Sequence, residues 1–330
     1  MTLKKFILIA SLIELIIIAV LAANVYKNKD NVLGTKDSVN PIDKGDLIFP
    51  EEGDLEYFYE PKPNNIESKK QDWLPNGYEY TITINADSLS ERFDYSADKP
   101  QDVFRIITLG DSFTYGLYVN TKDNYPEQLE DLLNSSLPCR NIKKFEVINL
   151  GMGGYDIQYA AERFKKRGLK YNPDLILWLL KNDDLDQIME KISAKSNEYK
   201  RQMEESGELK EYEEKGIFYP YVVKATQELG ETYRKEQILD YQYAAMKSLR
   251  TIYNDPLVFL SSPFGLTNEF KDVIEKFVRE NSHSYYYSQL PNLVGADSAL
   301  PDGHPNKAGY TLYVNNIFHY LVDTNLISCN

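Results

Sequence analysis

From Val103 onward, apolar runs of strand length alternate with segments that have the apolar spacing of amphipathic helices. The runs, which are rich in β-branched and aromatic residues, are 103–109, 145–150, 175–180, 257–260 and, more weakly, 284–287. The run at 175–180 is apolar throughout, as expected of a central strand that is covered on both faces. Strands that alternate with helices predict an α/β fold, in which right-handed crossovers place helices on both faces of a parallel sheet.

Helical patterns fill the intervals between these strands. One begins near Pro126, one covers about 157–168 and should end at Gly168, and a last one runs from about Pro305. In the strand order 2-1-3-4-5, the first and last helices share one face of the sheet and the helices between them cover the other.

Residues 1–26 predict a membrane anchor that precedes this fold. The segment 6–23 is apolar apart from two residues, and as a helix of about 1.5 Å per residue it reaches about 27 Å, enough to cross a bilayer. Glu14 costs about 3 kcal/mol at mid-membrane, whereas about a dozen apolar residues each return about 0.3 to 0.6 kcal/mol. We therefore expect an uncleaved single-pass anchor in the cell membrane, with the rest of the chain on the extracytoplasmic side. A cleaved signal peptide is the alternative.

Three further segments have distinct patterns. Residues 27–47 are polar and aperiodic and predict a linker. Residues 48–103 contain short strand-like pieces, notably 78–84, and predict either a small β-rich lobe or an extension wrapped on the main domain at 104–330. About 183–250 is much longer than a crossover needs. It predicts a helical insertion, either a solvated helix with a packing patch or a lid at the carboxyl edge of the sheet.

Charge and motifs exclude several classes of function. The formal net charge is −13 and no basic stripe offsets it, which argues against nucleic acid as a partner. The sequence contains no metal-ligand cluster, phosphate-binding glycine loop or cofactor motif, so neither a metal nor a cofactor is expected.

A serine lies in the tight Gly110-Asp111-Ser112 turn directly after the first strand. Open α/β sheets bind their ligands at the carboxyl edge, where this turn places the hydroxyl of Ser112. Serine becomes a nucleophile only with a base within hydrogen-bond reach and a third group that orients the base. Such a turn alone is common, so the interpretation depends on the histidines.

The chain has three histidines. His319 lies inside the last helix, and His283 lies in a polar connection with no acid nearby. His304 lies in the loop before the last helix, with Asp302 two residues earlier. That spacing lets the carboxylate bond one imidazole nitrogen while the other nitrogen faces a serine.

Two more segments follow the second and third strands. The glycine-rich stretch 149–156 allows backbone N–H groups to approach a ligand closely, and Asn182 places an amide side chain at the same edge. Each segment alone is explained equally well by a structural role, as a turn or as a helix cap. Together with the serine turn and the loop that carries Asp302 and His304, they make four segments at one edge of the sheet, in an order that allows them to form one site.

Taken together, the four blocks resemble those of the SGNH, or GDSL-type, hydrolases, a family of esterases and lipases. The resemblance covers about 104–330 and implies a flavodoxin-like three-layer α/β/α sandwich, the SGNH hydrolase fold. It implies Ser112 as nucleophile, His304 as base and Asp302 as its orienting acid, and an oxyanion hole formed by the Ser112 and Gly154 N–H groups and the Asn182 side chain.

The chain departs from the family pattern at two positions. Leu180 stands two residues before Asn182, where the family usually has glycine, and only Gly303 separates the acid from the base, where two residues are usual. The shorter spacing makes Asp297 the alternative acid. The Gly-x-Ser-x-Gly elbow of the α/β-hydrolases is absent because Thr114 occupies its last glycine position, which disfavours that fold.

Together with the predicted anchor, the resemblance implies a membrane-anchored serine esterase that hydrolyses an acyl or acetyl ester through an acyl-enzyme on Ser112. Its substrate would be a lipid, an acylated small molecule or an acetylated glycan. Two alternatives remain: an acyl or O-acetyl transferase acting on a cell-surface glycan, and a non-catalytic surface binding module with the same fold.

The two cysteines follow the first and last helices of the domain. If those helices lie side by side on one face, Cys139 and Cys329 both fall at the amino edge of the sheet, opposite the proposed site. We therefore expect a disulfide between them in an oxidising compartment.

Overall fold

The structure of the protein is a computed structural model that describes residues 46–50, 55–71, 73–74, 78–136, 139, 141–215 and 219–327. The predicted anchor at 1–26 and nearly all of the predicted linker at 27–47 lie outside the described residues. Within the described ranges, none of the helices combines the length and the apolar character that a membrane crossing requires.

Strands and helices alternate from β5 onward. The strands are β1 (Leu47–Ile48), β2 (Glu60–Pro61), β3 (Asn65–Lys70), β4 (Glu79–Ile84), β5 (Val103–Leu109), β6 (Lys144–Asn149), β7 (Leu175–Leu179), β8 (Leu257–Leu260) and β9 (Ser284–Tyr287). The α-helices are α1 (Ser112–Tyr115), α2 (Tyr125–Ser136), α3 (Ile157–Arg163), α4 (Asn182–Asp186), α5 (Met189–Ser206), α6 (Glu208–Glu214), α7 (Pro220–Thr232), α8 (Lys235–Ile252), α9 (Asn268–Glu280) and α10 (Lys307–Asp323).

Strands β5 to β9 form one parallel sheet in the order β6-β5-β7-β8-β9. This is the predicted 2-1-3-4-5 order, and the five strand predictions are correct to within one residue at each end. All residues of β7 and β8 are buried, as their uninterrupted apolar sequences require.

Helices cover both faces of the sheet, so the predicted three-layer α/β/α sandwich is confirmed. Successive side chains of a strand point to opposite faces. Ile106 accordingly packs in a core with α2 and α10, whereas Ile107 packs in a second core with α3, α8 and α9. The predicted pairing of the first and last helices on one face is therefore correct.

Residues 48–103 are an extension on the main domain rather than a separate lobe. Phe58, Tyr80 and Leu89 belong to the same core as Ile107 of the central sheet. The extension also begins slightly earlier than predicted, because Leu47 of β1 pairs with Pro61 of β2 and packs against this core.

A buried ion pair joins the extension to α3. Glu60 bonds Arg163 at 2.8 Å with both side chains fully buried, and Arg167 bonds the other oxygen of Glu60 at 2.7 Å. Arg163 also donates to the carbonyl oxygens of Ser88 and Leu150. A buried charge needs such a full set of partners, because an unpaired one is strongly destabilising.

The predicted helical insertion is narrower than 183–250. Helices α5 and α7 pack on each other and form a small apolar cluster that contains Ile192 and Leu229. Helix α8 is instead the crossover helix of the sandwich, since Met246 and Leu249 are buried in the core over the sheet.

The prediction that Gly168 ends a helix is wrong. After α3 the chain stays helical through a π-turn and a 3₁₀ turn and ends at Asn172, which has φ +48°. Gly168 has an ordinary helical conformation, and a β-carbon there would lie 2.5 Å from the Phe164 ring and 2.8 Å from the Leu150 side chain. Close packing, and not a turn, explains this glycine.

The disulfide remains a prediction, because Cys329 lies outside the described residues. Its geometric premise is supported: Cys139, just after α2, and Ile327, just after α10, both pack in the core on that face.

Three glutamates are buried where the extension meets α2 and β6. Glu91 is fully buried and accepts a hydrogen bond from the Asn149 N–H, and Tyr95 bonds both Glu91 and Glu130. Glu127 pairs with Arg92. Burial, reinforced by the charge of Glu127, raises the pKa of Glu91 well above its ordinary value of 4.5.

This raised pKa predicts how stability depends on pH. The folded chain binds the Glu91 proton more tightly than the unfolded chain, so this group lowers the free energy of unfolding as pH rises above about 4.5. Glu91→Gln keeps a carbonyl for the Asn149 N–H and does not titrate. Urea unfolding at pH 5 and pH 7 should therefore show a smaller loss of stability in this variant than in the wild type. Glu208→Gln on the exposed helix α6 controls for the lost charge, and identical losses in all three proteins would contradict the assignment.

Candidate active site

The turn after β5 presents Ser112 at the carboxyl edge of the sheet. Gly110 has φ +144°, and a β-carbon there would lie 2.7 Å from the carbonyl oxygen of Leu179. Only glycine fits this close approach. Asp111 then caps α1 by accepting the Phe113 N–H at 2.9 Å, and the serine is the first residue of that helix.

Ser112, His304 and Asp302 form a continuous chain of hydrogen bonds. His304 Nε2 lies 2.8 Å from Ser112 Oγ, and His304 Nδ1 lies 2.7 Å from Asp302 Oδ2. The imidazole packs between the rings of Phe113 and Tyr118, at centroid distances of 4.9 and 5.3 Å. With Nδ1 donating to the carboxylate, Nε2 is the acceptor for the serine hydroxyl, which is the arrangement of a general base.

The short spacing between the acid and the base is accommodated by a tight turn. Gly303 has φ +92°, and Leu300 and His304 are paired by a hydrogen bond across the turn. Asp302 then folds back, so that its second oxygen accepts the His304 N–H at 3.1 Å. Asp297, the alternative acid, is exposed on an earlier turn of the loop.

The other two histidines lie elsewhere. The His283 carbonyl accepts the N–H of Leu257, the first residue of β8, which places it at the amino edge of the sheet. His319 lies within α10.

The glycine-rich block after β6 is held directly against the serine turn. The buried side chain of Asn149 donates to the Thr114 carbonyl and accepts the Gly151 N–H, both at 2.9 Å. Gly154 is exposed beyond this contact and has φ +76°. The structure thus places Gly154 just beyond the carboxyl end of β6 as an exposed residue.

Two side chains that sequence reasoning missed hold this block in place. Tyr59 of the extension donates to the Gly153 carbonyl at 2.7 Å. Asp156 caps α3 through the Tyr159 N–H and also accepts the Met189 N–H at the start of α5. Burial raises the pKa of Asp156, and these donors partly offset that effect. Neither contact has a local sequence signal, because each joins segments about 30 to 95 residues apart.

The third block places Asn182 at the start of α4. Its Oδ1 accepts the Thr267 N–H at 2.9 Å, which fixes the amide and leaves its Nδ2 donor available for a ligand. Leu180, at the usual glycine position, is buried and donates its N–H to Leu260 on the neighbouring strand. The departure from the family pattern is therefore accommodated in the core.

A cleft of about 190 Å³ lies beside this block. Residues that line it include Phe113, Lys181, Asn182, Ser262, Gly265 and Tyr313. The cleft thus joins the residue after the nucleophile to the amide of the third block. A pocket with an apolar wall and a few polar groups is the usual form of a small-molecule site.

Lys181 supplies a cation between the first and third blocks. Its Nζ lies 3.3 Å from Asp111 Oδ2, 3.6 Å from Asp183 Oδ2 and 4.0 Å from the centroid of the Phe113 ring. Burial opposes the charge on this lysine, but the surrounding carboxyl groups outweigh burial and raise its pKa. Asp111, Asp183 and Asp184 approach one another closely, and the Lys181 ammonium group forms ion pairs with two of the three, Asp111 and Asp183.

No family model matches this chain, and no curated protein matches it. Several solved structures of low sequence identity align with about two thirds of this chain. A two-domain esterase active on acetylated mannans aligns at a TM-score of 0.43 and 13% identity, over 70% of this chain and 52% of its own. TesA aligns at a TM-score of 0.41 and 13% identity, over 68% of this chain and 99% of its own. A family 3 carbohydrate esterase of Clostridium thermocellum aligns at a TM-score of 0.39 and 16% identity, over 67% of this chain and 96% of its own.

The fold brings the predicted blocks together. A parallel sheet in the order 2-1-3-4-5 brings the four blocks to one edge, and the first and last blocks form a Ser–His–Asp hydrogen-bonded triad. These are the sandwich and the block arrangement that the sequence resemblance to the SGNH-type hydrolases implies.

The geometry of the triad predicts that Asp302, and not Asp297, is the acid that orients His304. Asp302→Ala removes the group that holds His304, so kcat for ester hydrolysis should fall by about a hundredfold to ten-thousandfold. Asp297→Ala, in the same loop, is the matched control and should stay within about twofold of the wild type. Equal losses in the two variants, or a loss only in Asp297→Ala, would reverse the assignment.

Proposed function

We propose that this protein is a serine esterase that hydrolyses an acyl or acetyl ester through an acyl-enzyme on Ser112. The observation that supports it most directly is the 2.8 Å contact between His304 Nε2 and Ser112 Oγ, with His304 oriented by Asp302. A serine activated by an oriented imidazole is the arrangement that nucleophilic catalysis requires.

In the first step Ser112 Oγ attacks the ester carbonyl carbon while His304 accepts the hydroxyl proton. The carbonyl oxygen becomes an oxyanion, and the imidazolium is stabilised by the Asp302 carboxylate. Collapse of this intermediate breaks the bond to the leaving alcohol, which takes the proton from His304 and departs. Water, deprotonated by His304, then attacks the acyl-enzyme. Collapse of this second intermediate breaks the bond to Ser112 Oγ, which takes the proton back from His304, and the carboxylic acid is released.

Three donors are proposed for the oxyanion. The Ser112 N–H lies in the first turn of α1, where backbone N–H groups have no intrahelical acceptor. The second donor is the N–H of Gly154, an exposed residue after β6, and the third is Nδ2 of Asn182. Such preorganised donors stabilise charge that develops only in the transition state, and one of them is commonly worth about a hundredfold in kcat or more.

The alternative enzymatic function is transfer of the acyl group to a sugar hydroxyl. The same acyl-enzyme would form, and a bound alcohol would take the place of water in the second step. Product analysis with and without an added glycan acceptor distinguishes the two reactions. A non-catalytic binding module is disfavoured because ligand binding alone does not need a base beside a serine.

The proposed location is the cell membrane, with the esterase domain on the extracytoplasmic side. This proposal is supported by the sequence of residues 6–23 alone. The full-length protein should remain with membranes through alkaline carbonate extraction. A mature chain that begins near Ala23 would instead indicate a cleaved signal.

The esterase proposal predicts a non-additive pair of variants. Ser112→Ala and His304→Ala should each lower turnover of p-nitrophenyl acetate by several orders of magnitude, and the double variant should be little slower, because the residues act as a unit. His283→Ala, at the opposite edge of the sheet, is the control and should retain activity. Full activity in folded Ser112→Ala would end the proposal.

A further inference from the structure

Two different kinds of contact hold the serine turn to its neighbours. On the β6 side the hydrogen bonds of the Asn149 side chain are joined by direct backbone contact: a β-carbon at Gly151 would lie 2.5 Å from the Tyr115 nitrogen, and the Met152 N–H bonds the Gly110 carbonyl at 3.2 Å. On the β7 side, beyond the close approach of Gly110 to the Leu179 carbonyl, the connection is the side chain of Lys181.

Lys181 joins the residue that precedes the nucleophile to the residue that follows it. Asp111, with its side chain 5% exposed, gives one carboxylate oxygen to Lys181 and the other to the Phe113 N–H. The ammonium group also lies over the ring of Phe113. Lys181 itself directly precedes Asn182, and its backbone N–H is held by Asp184 at 2.7 Å.

We propose that Lys181 is a positioning residue of the oxyanion hole, whose ion pair with Asp111 fixes the turn that carries Asn182 against the turn that carries Ser112. The proposal rests on the esterase function proposed above. Lys181 would act through Asn182 and need not touch the substrate.

The charges around Lys181 agree with a clamp rather than a binding site for an anionic ligand. Asp111, Asp183 and Asp184 face the ammonium group, and Tyr313 of α10 lies close enough for the lysine to lower its pKa, although burial dominates and raises it. The positive charge of the ammonium group is therefore balanced by carboxylates of the protein itself. Its side chain is 29% exposed, so it is partly covered but still borders the cleft.

The test is a double-mutant cycle on the full-length protein with p-nitrophenyl acetate as substrate. Lys181→Met should lower kcat by about tenfold to a hundredfold with KM within about twofold, since only an interaction of the transition state is lost. Asn182→Ala should lower kcat by about a hundredfold. If Lys181 acts through Asn182, the double variant should be within about threefold of Asn182→Ala alone.

Two further variants keep the test decisive. Lys181→Arg retains the charge over Phe113 and the pair with Asp111, and should restore kcat to within about fivefold of the wild type. Asp111→Asn/Lys181→Met removes both charges and keeps an acceptor for the Phe113 N–H, so it replaces Lys181→Met if that variant lacks a cooperative thermal transition. This double variant, which lacks both partners of the Asp111–Lys181 ion pair, should have the same low kcat as Lys181→Met.

The control is Lys99→Met, which breaks a 2.6 Å ion pair with Asp174 at the opposite edge of the sheet. Its kcat should match the wild type. Unchanged kcat in folded Lys181→Met, or losses that multiply in the double variant with Asn182→Ala, would overturn the positioning role. Wild-type hydrolysis that depends on Ser112 would leave the esterase proposal intact in either case.

Discussion

The close approach of the turn after β5 to the turns on both sides is the constraint on which the site depends. Gly110 packs against the Leu179 carbonyl, and Gly151 packs against the Tyr115 nitrogen, in each case with no room for a β-carbon. Parallel strands end at one edge, so these contacts bring three successive blocks together there. The hydrogen bonds of Asn149 then lock the first two blocks to each other.

The parts of the chain outside the sandwich are connected to this edge. Tyr59 of the extension bonds the Gly153 carbonyl, and Glu190 at the start of α5 accepts the N–H groups of Glu56 and Tyr57 and the hydroxyl of Tyr159. The extension and the base of the helical insertion thus both contact the segment that carries Gly154. These contacts explain why the extension belongs to the domain, and they give the insertion a fixed base.

Much of the fold was predictable because its signals are local. A short apolar run such as 175–180, bounded by helical patterns, is typical of a buried strand, and right-handed crossovers then assign each helix to a face of the sheet. The four blocks were also recognisable, because each is a short segment at a strand end.

What the sequence could not show depends on contacts between distant segments. Lys181 next to Asn182 is unremarkable until the fold brings it to Asp111, which is 70 residues away. Gly168 looked like a helix end because its local pattern is the same, whereas close packing against Phe164 and Leu150 explains it. The choice between Asp302 and Asp297 likewise needed the turn at Gly303, which directs Asp302 toward His304.

The central claim is that Ser112 is an activated nucleophile, and covalent labelling tests it most directly. A fluorophosphonate should add once per chain to full-length wild-type protein, and digestion with mass spectrometry should place the adduct on Ser112. His304→Ala should label far more slowly, because the hydroxyl has lost its base. An adduct on another residue, or labelling of His304→Ala at the wild-type rate, would contradict the account.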